Sequence, residues 1–249
     1  MQNWSDPRTT TAANPAVSVG VPRAARDAGL RSYMLSVYNY MASGVLLTGI
    51  VALLFATSGL AAQVLQTPLR WLIMLSPLAF VMVLSFGINR LSKGATQALF
   101  WAFCVAMGAS MANIFAVYVG TSIASTFFVT AGMFAAVSIY GYTTNADLTR
   151  MGGFLMMGLI GILIAGLVNA FVGSSALQFA ISVLGVVIFT GLTAYDTQRI
   201  KSDYIEYSYA EGSDEAGKRS VMDALGLYLN FVNLFQLLLQ FMGVRNSSD

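Results

Sequence analysis

Apolar stretches free of charge recur along this chain at a spacing that dictates its architecture. A helix needs about 20 mainly apolar residues to cross a bilayer core about 30 Å thick. Six windows meet that length: Ser32 to Thr57, Trp71 to Asn89, Ala98 to Val119, Ile123 to Tyr142, Gly152 to Val172 and Ala176 to Gln198. The uncharged run from Gly94 to Ala146 is too long for one helix, so it is expected to break at "YVGTS". The run from Met151 to Tyr195 is expected to break at "FVGSS".

A seventh window, Asp223 to Gly243, has the length of a span but a different face. In "DALGLYLNFVNLFQLLLQFMG", Asp223, Gly226, Asn230, Asn233, Gln236 and Gln240 fall within a sector of about 140° at helical periodicity, with Leu and Phe over most of the rest. A polar stripe of this kind belongs inside a bundle. It serves either as interhelical amide glue, worth about 0.6 to 2 kcal/mol per contact, or as the lining of a path. The fold expected is an all-α integral membrane protein, a bundle of seven transmembrane helices with a central polar seventh helix. Residues 31–249 form that domain. Residues 1–30, rich in Thr, Ala and Pro and without the apolar core of a cleavable signal, are expected to be a flexible N-terminal tail.

Composition agrees: 57% of the 249 residues are hydrophobic and 10% charged, against about a quarter charged in soluble domains. A net charge of +2 with scattered basic residues leaves no nucleic-acid footprint. Histidine is absent, which removes Ser-His hydrolases, histidine metal sites and imidazole relays. The single cysteine, Cys104, can form no intrachain disulfide. With a cytoplasmic N-terminus, nearly all Lys and Arg fall inside and only Arg70 and Arg245 outside. A seventh segment that dips in and returns would bring Arg245 inside as well. The pairs Gly108/Ala112, Gly132/Ala136 and Gly161/Ala165 have the spacing of close helix packing. The acidic stretch "SDYIEYSYAEGSDEAGKRSVM" lacks EF-hand ligand spacing and is expected to be a solvated loop.

Asp196 alone among the eleven acidic residues lies within an apolar window. A carboxylate at mid-bilayer costs about 2.5 to 3.5 kcal/mol, so it marks a functional site by default. The competing reading is a wet helix end, since Lys201 follows five residues later and Arg199 at i+3 can pair with it.

The chain resembles the Bax inhibitor-1 family, the transmembrane Bax inhibitor motif proteins, particularly bacterial members. The resemblance rests on "GLTAYDTQRIK" followed by "ALGLYLNFVNLFQLLLQFMG", on "MLSVYNYMASGVLLTG" and on "SIYGYTTNADL", and spans roughly Arg31 to Gly243. It implies seven helices, the seventh wrapped by the other six. It also implies a calcium (cation) leak gated by a pH-sensitive aspartate pair, of which Asp196 is the first member, with an arginine at the end of the second helix, Arg90 here, near the pair. The second aspartate is replaced by Asn230. Two touching carboxylates share a proton and titrate near neutrality, whereas aspartate beside asparagine has no such repulsion. A weaker or acid-shifted pH response is expected. Asp223, two turns earlier, is a candidate second carboxylate, and Asn233 lies on the same stripe. The expected partners are calcium or other cations and the lipid bilayer, in a bacterial inner membrane. No cofactor, metal centre or enzymatic activity is expected, because a rhomboid-type protease would need histidine and the three lysines lie in loops or at helix ends. The alternative is a membrane interaction protein regulating a partner such as a membrane-bound protease; solute transport is a third reading.

Overall fold

In a computed structural model, residues 23–207 and 212–246 are described. The chain runs through α1 (Arg23–Thr57), a short α2 (Leu60–Leu65), α3 (Leu69–Gly87), α4 (Lys93–Met111), one turn of α5 (Ile114–Val117), α6 (Gly120–Thr143), α7 (Thr149–Val172), α8 (Ser175–Tyr207) and α9 (Ser213–Met242). Seven of these are long and apolar enough to cross a membrane, in the order expected from the hydrophobic windows. The breaks fall at both expected places. α5 ends just before Tyr118, and Gly173 takes a left-handed conformation (φ 65°) that a side chain would strain, its N–H donating to the Asn169 carbonyl to close α7.

The helix ends differ from the apolar windows because charged residues carry the helices past the bilayer. α1 begins at Arg23, inside the stretch expected to be tail, and buries Leu30; residues 1–22 lie outside the described part. α8 continues to Tyr207 and α9 starts at Ser213, so most of the acidic stretch expected to be a loop is helical; residues 208–211, including Glu211, lie outside the described part. Ala, Glu, Lys and Arg favour helix. Asp214 and Glu215 also sit in the first turn of α9, where the helix dipole favours acids.

α9 is the most enclosed span: 61% of its apolar window is buried, against 11% for α3 and α7. It packs on α1, α4, α6 and α8, while α3 and α7 pack chiefly on α4 and α8 and turn Phe86, Phe154 and Phe171 outward, as lipid-facing side chains do. Helix alternation puts Arg31, Arg90, Lys93, Arg150, Arg199 and Lys201 at one end of the bundle, here the basic end, and Arg70 at the other. α9 runs the length of the bundle. Arg245 pairs in a β-bridge with Tyr118 at the end away from Lys93, and Val119 N–H donates to the Val244 carbonyl at 3.0 Å.

Of the small-residue pairs, only Gly108/Ala112 lies at a close helix contact: a methyl group on Gly108 would come within 2.7 Å of the Thr48 carbonyl oxygen. Gly132 and Gly161 have nothing within 4 Å. Among the other tight approaches, Gly141 against Ala194, Gly152 against Tyr195 and Gly191 against Leu155 lie around the part of α8 that leads into Asp196.

The turn into α7 is held from two sides. Gln198 accepts from the Leu148 N–H and donates to the Ala146 carbonyl, tying the turn to α8, and Asp147 accepts from the Thr149 N–H at 2.9 Å. The Thr149 hydroxyl and N–H, with Arg150 nearby, hold the Asp147 carboxyl below the usual carboxylate range. A lowered carboxylate stabilises above its unfolded pKa of about 3.9 and loses that contribution as pH falls through the folded value. Amide exchange at Thr149 is therefore expected to speed up below about pH 3.9, relative to the intrinsic rate, in the native protein. Asp147→Ala is expected to show the faster exchange already at neutral pH.

Candidate functional site

The two polar residues that the motifs single out meet across the α8–α9 contact. Asn230 Nδ2 donates to Asp196 Oδ2 at 2.7 Å. The other carboxylate oxygen, Oδ1, lies 3.2 Å from Arg199 Nη2, one turn further along α8. The Asp196 side chain is only 14% exposed and that of Arg199 42%, so the carboxylate is inside the bundle while its cation reaches toward water. An ionised acceptor strengthens the amide bond. The ion pair, half in solvent, is worth at most about 1 kcal/mol. Both readings of Asp196 therefore hold in part: its carboxylate is enclosed, and its counter-charge is wet.

The neighbours of Asp196 fix its position. Thr197 is fully buried, and its hydroxyl lies 3.2 Å from the Tyr38 hydroxyl of α1. Thr193 returns its hydroxyl to the Phe189 carbonyl of its own helix. Lys201 donates to the Tyr142 carbonyl at 2.8 Å and sits over the Tyr142 ring. Three helices, α1, α6 and α9, thus hold this last apolar turn of α8.

Asp223 lies seven residues before Asn230, about 10 Å along α9 toward the basic end. It accepts from the Tyr33 hydroxyl at 2.6 Å, and the Tyr33 ring lies 4.8 Å from that of Tyr204. Arg199, Asp203 and Arg219 are its charged neighbours, so Arg199 acts on both half-buried carboxylates. Asn233 does not join the pair: its Nδ2 donates to the Leu229 carbonyl of its own helix. Arg90 sits exposed in the turn after α3, which packs on α4 and α2, and the place expected for it beside Asp196 is taken by Arg199.

The stripe on α9 therefore divides into separate polar clusters. Gln240, near the other end, accepts from Gln178 Nε2 at 2.6 Å and from Ser182, while Gln178 accepts from Asn169. At mid-height the buried Tyr228 hydroxyl meets Thr48 Oγ1 at 2.7 Å, and Thr48 donates to the Cys104 carbonyl. These clusters satisfy polar groups locally, which is the amide-glue reading of the stripe; charge enters at Asp223 and where Asn230 meets Asp196.

The sequence profile of a family described as inhibitor of apoptosis-promoting Bax1 matches residues 30–247. The inner membrane protein YbhL of Escherichia coli (strain K12) is 46% identical over 220 residues, covering 88% of this chain and 94% of YbhL. A protein of Caulobacter vibrioides is 45% identical over 231 residues, covering 87% of this chain and 90% of its own. Protein RP147 of Rickettsia prowazekii is 44% identical over 221 residues, covering 88% and 92%.

Proposed function

Because the chain belongs to the Bax inhibitor-1 family of membrane proteins, we propose that it is a calcium (cation) leak channel whose pH-sensitive gate is Asp196 facing Asn230. The observation that carries this reading is the bond from Asn230 to Asp196, which joins the most enclosed helix to α8 through a carboxylate inside the bundle. With Asn230 on Oδ2 and Arg199 on Oδ1, a cation at this carboxylate competes with both for its charge. Protonation removes the charge that holds both. The amide bond then weakens to an ordinary neutral one, and Arg199 loses its partner.

Asp223 is the second carboxylate of the path, nearer the basic end and restrained by Tyr33. The basic end is assigned to the cytoplasm and the membrane is the bacterial inner membrane, in line with the clustering of Lys and Arg and with the name of YbhL. The role is one of conduction and regulation, with no bond made or broken.

Reconstitution into liposomes with a trapped calcium dye tests the reading. Native protein is expected to leak calcium in a pH-dependent way. Asp196→Asn, which cannot ionise, is expected to leak at one rate across pH. Asp196→Asn flux that matched native flux at every pH would remove Asp196 from the gate.

A further inference from the structure

Helices α1 and α6 both pack on α9 and hardly on each other, so the bundle is open between them. The cleft is a cavity of about 710 Å³, walled by Leu35 and Met41 of α1 and by Ala135 and Ile139 of α6, with Phe231 of α9 as its floor. A second cavity of about 270 Å³ shares Val45, Phe127 and Phe231 with it and continues the groove toward the other end of the bundle. Leu35, Ala135 and Ile139 are exposed, so the groove faces the bilayer.

Besides the tyrosines Tyr38 and Tyr142, two polar residues line the groove. Arg31 lines it at the basic end, exposed and in no ion pair with a described residue. Ser138 also lines it, 5% exposed, and its hydroxyl makes no hydrogen bond within the described chain. Ser125, Thr130 and Thr143 of this helix each return a hydroxyl to the carbonyl four residues back, whereas Ser138, like Thr126, does not; of these two only Ser138 lines the groove. A buried donor left unbonded is costly, so Ser138 calls for an acceptor in the groove.

We propose that this groove is a binding site for one anionic glycerophospholipid. Its phosphate sits on Arg31, an ester carbonyl accepts from Ser138, and an acyl chain lies along α6 over Phe231 and Phe127. Lipid tails are as apolar as the groove itself, so apolar contact alone gives no preference for the site over the bulk bilayer. Selectivity must come from the guanidinium and the hydroxyl. Ser138 lies five residues from the end of α6, about 7 Å below it, the depth of an ester beneath a phosphate at the helix mouth. A transmembrane helix does not fit: at about 10 to 12 Å across and 30 Å long it displaces roughly 2,400 Å³. The site is independent of the proposed gate but touches it, since Tyr38 lines the groove and bonds Thr197, next to Asp196.

The test uses the full chain in phosphatidylcholine nanodiscs doped with a phosphatidylglycerol carrying a diazirine in its acyl chain. After illumination, labelled peptides are quantified by mass spectrometry. Labelling is expected to concentrate on Leu35, Ala135 and Ile139, several-fold above the lipid-facing Leu163 and Leu167 of α7. Arg31→Gln and Ser138→Ala are each expected to lower groove labelling at least two-fold, and Ala135→Trp to abolish it. Phosphatidylcholine with the same diazirine is expected to label the groove no more than α7. Labelling spread evenly over the lipid-facing helices, or unchanged in both Arg31→Gln and Ser138→Ala, would overturn the proposal. Loss of labelling on adding soluble glycerol phosphate would show that the phosphate alone is bound, and would also overturn it. Because the readout is labelling, it stands or fails separately from calcium flux.

Discussion

In the Asn230→Asp variant, the pH response of calcium flux is expected to move at least one unit toward neutrality and to steepen. The native contact places Asn230 Nδ2 2.7 Å from Asp196 Oδ2, so aspartate at 230 brings two carboxylate oxygens to hydrogen-bond distance. Two unit charges about 3 Å apart repel by roughly 5 kcal/mol at an effective dielectric of 20. The pair avoids this by keeping one proton between its oxygens, and that proton leaves in a second step at higher pH. The native chain has one carboxylate, an amide donor and Arg199 at this position, and no like charge in contact, so its response lies lower in pH. A shift of one unit corresponds to about 1.4 kcal/mol of coupling, a modest part of the available repulsion, with Arg199 absorbing some of the rest. Asn230→Ala separates this from loss of the amide bond, since it removes the donor without adding charge. Flux against pH in liposomes reads all three proteins. Coincident curves for the native protein and Asn230→Asp would place regulation away from this pair.

The spans were legible because the bilayer imposes a length, and hydropathy reports that length directly. Their ends were not, because a helix leaving the membrane keeps its hydrogen-bond ladder when its side chains turn polar. The approaches to Tyr207 and Ser213 show this: what is charged and soluble along the sequence is still helix. The pairing of Asp196 with Asn230 was legible from the motifs alone. The cation beside Asp196 was legible too, from i+3 spacing on one helix, which gives the place to Arg199; the resemblance pointed to Arg90 instead. Tyr33 and Tyr38 were overlooked because a tyrosine near a span end usually marks the membrane interface. Here both hydroxyls turn inward, to Asp223 and Thr197, and the cluster of Tyr33, Tyr38 and Tyr40 in the first span was the available signal. Two of the three small-residue pairs misled for a related reason. Spacing by four puts two residues on one face but does not say whether that face meets a helix or lipid, as the open surroundings of Gly132 and Gly161 show.

Gly141→Ala is expected to lower thermal stability markedly and to disturb the gate, although it adds one methyl group and touches no charge. Gly141 is buried on α6 where that helix crosses α8, and the added carbon would run into the carbonyl oxygen of Ala194. A backbone atom cannot swing aside as a side-chain end can, so the two helices must separate. Overpacking of this kind costs about 1 to 3 kcal/mol. Ala194 is two residues before Asp196, and Lys201 on the same helix is anchored to the Tyr142 carbonyl, next to residue 141. Moving α6 outward therefore pulls on both sides of the last apolar turn of α8, and the 2.7 Å contact to Asn230 lies within that turn. Flux is expected to rise and its pH dependence to flatten along with the fall in melting temperature. Gly132→Ala is the control: the same helix gains the same methyl group where nothing lies within 4 Å, and the better helix propensity of alanine should leave stability unchanged or raise it by up to about 1 kcal/mol. Melting curves in detergent and flux in liposomes separate the two variants. If Gly141→Ala melted and leaked like Gly132→Ala, the close approach of α6 to α8 would not be what holds Asp196 against Asn230.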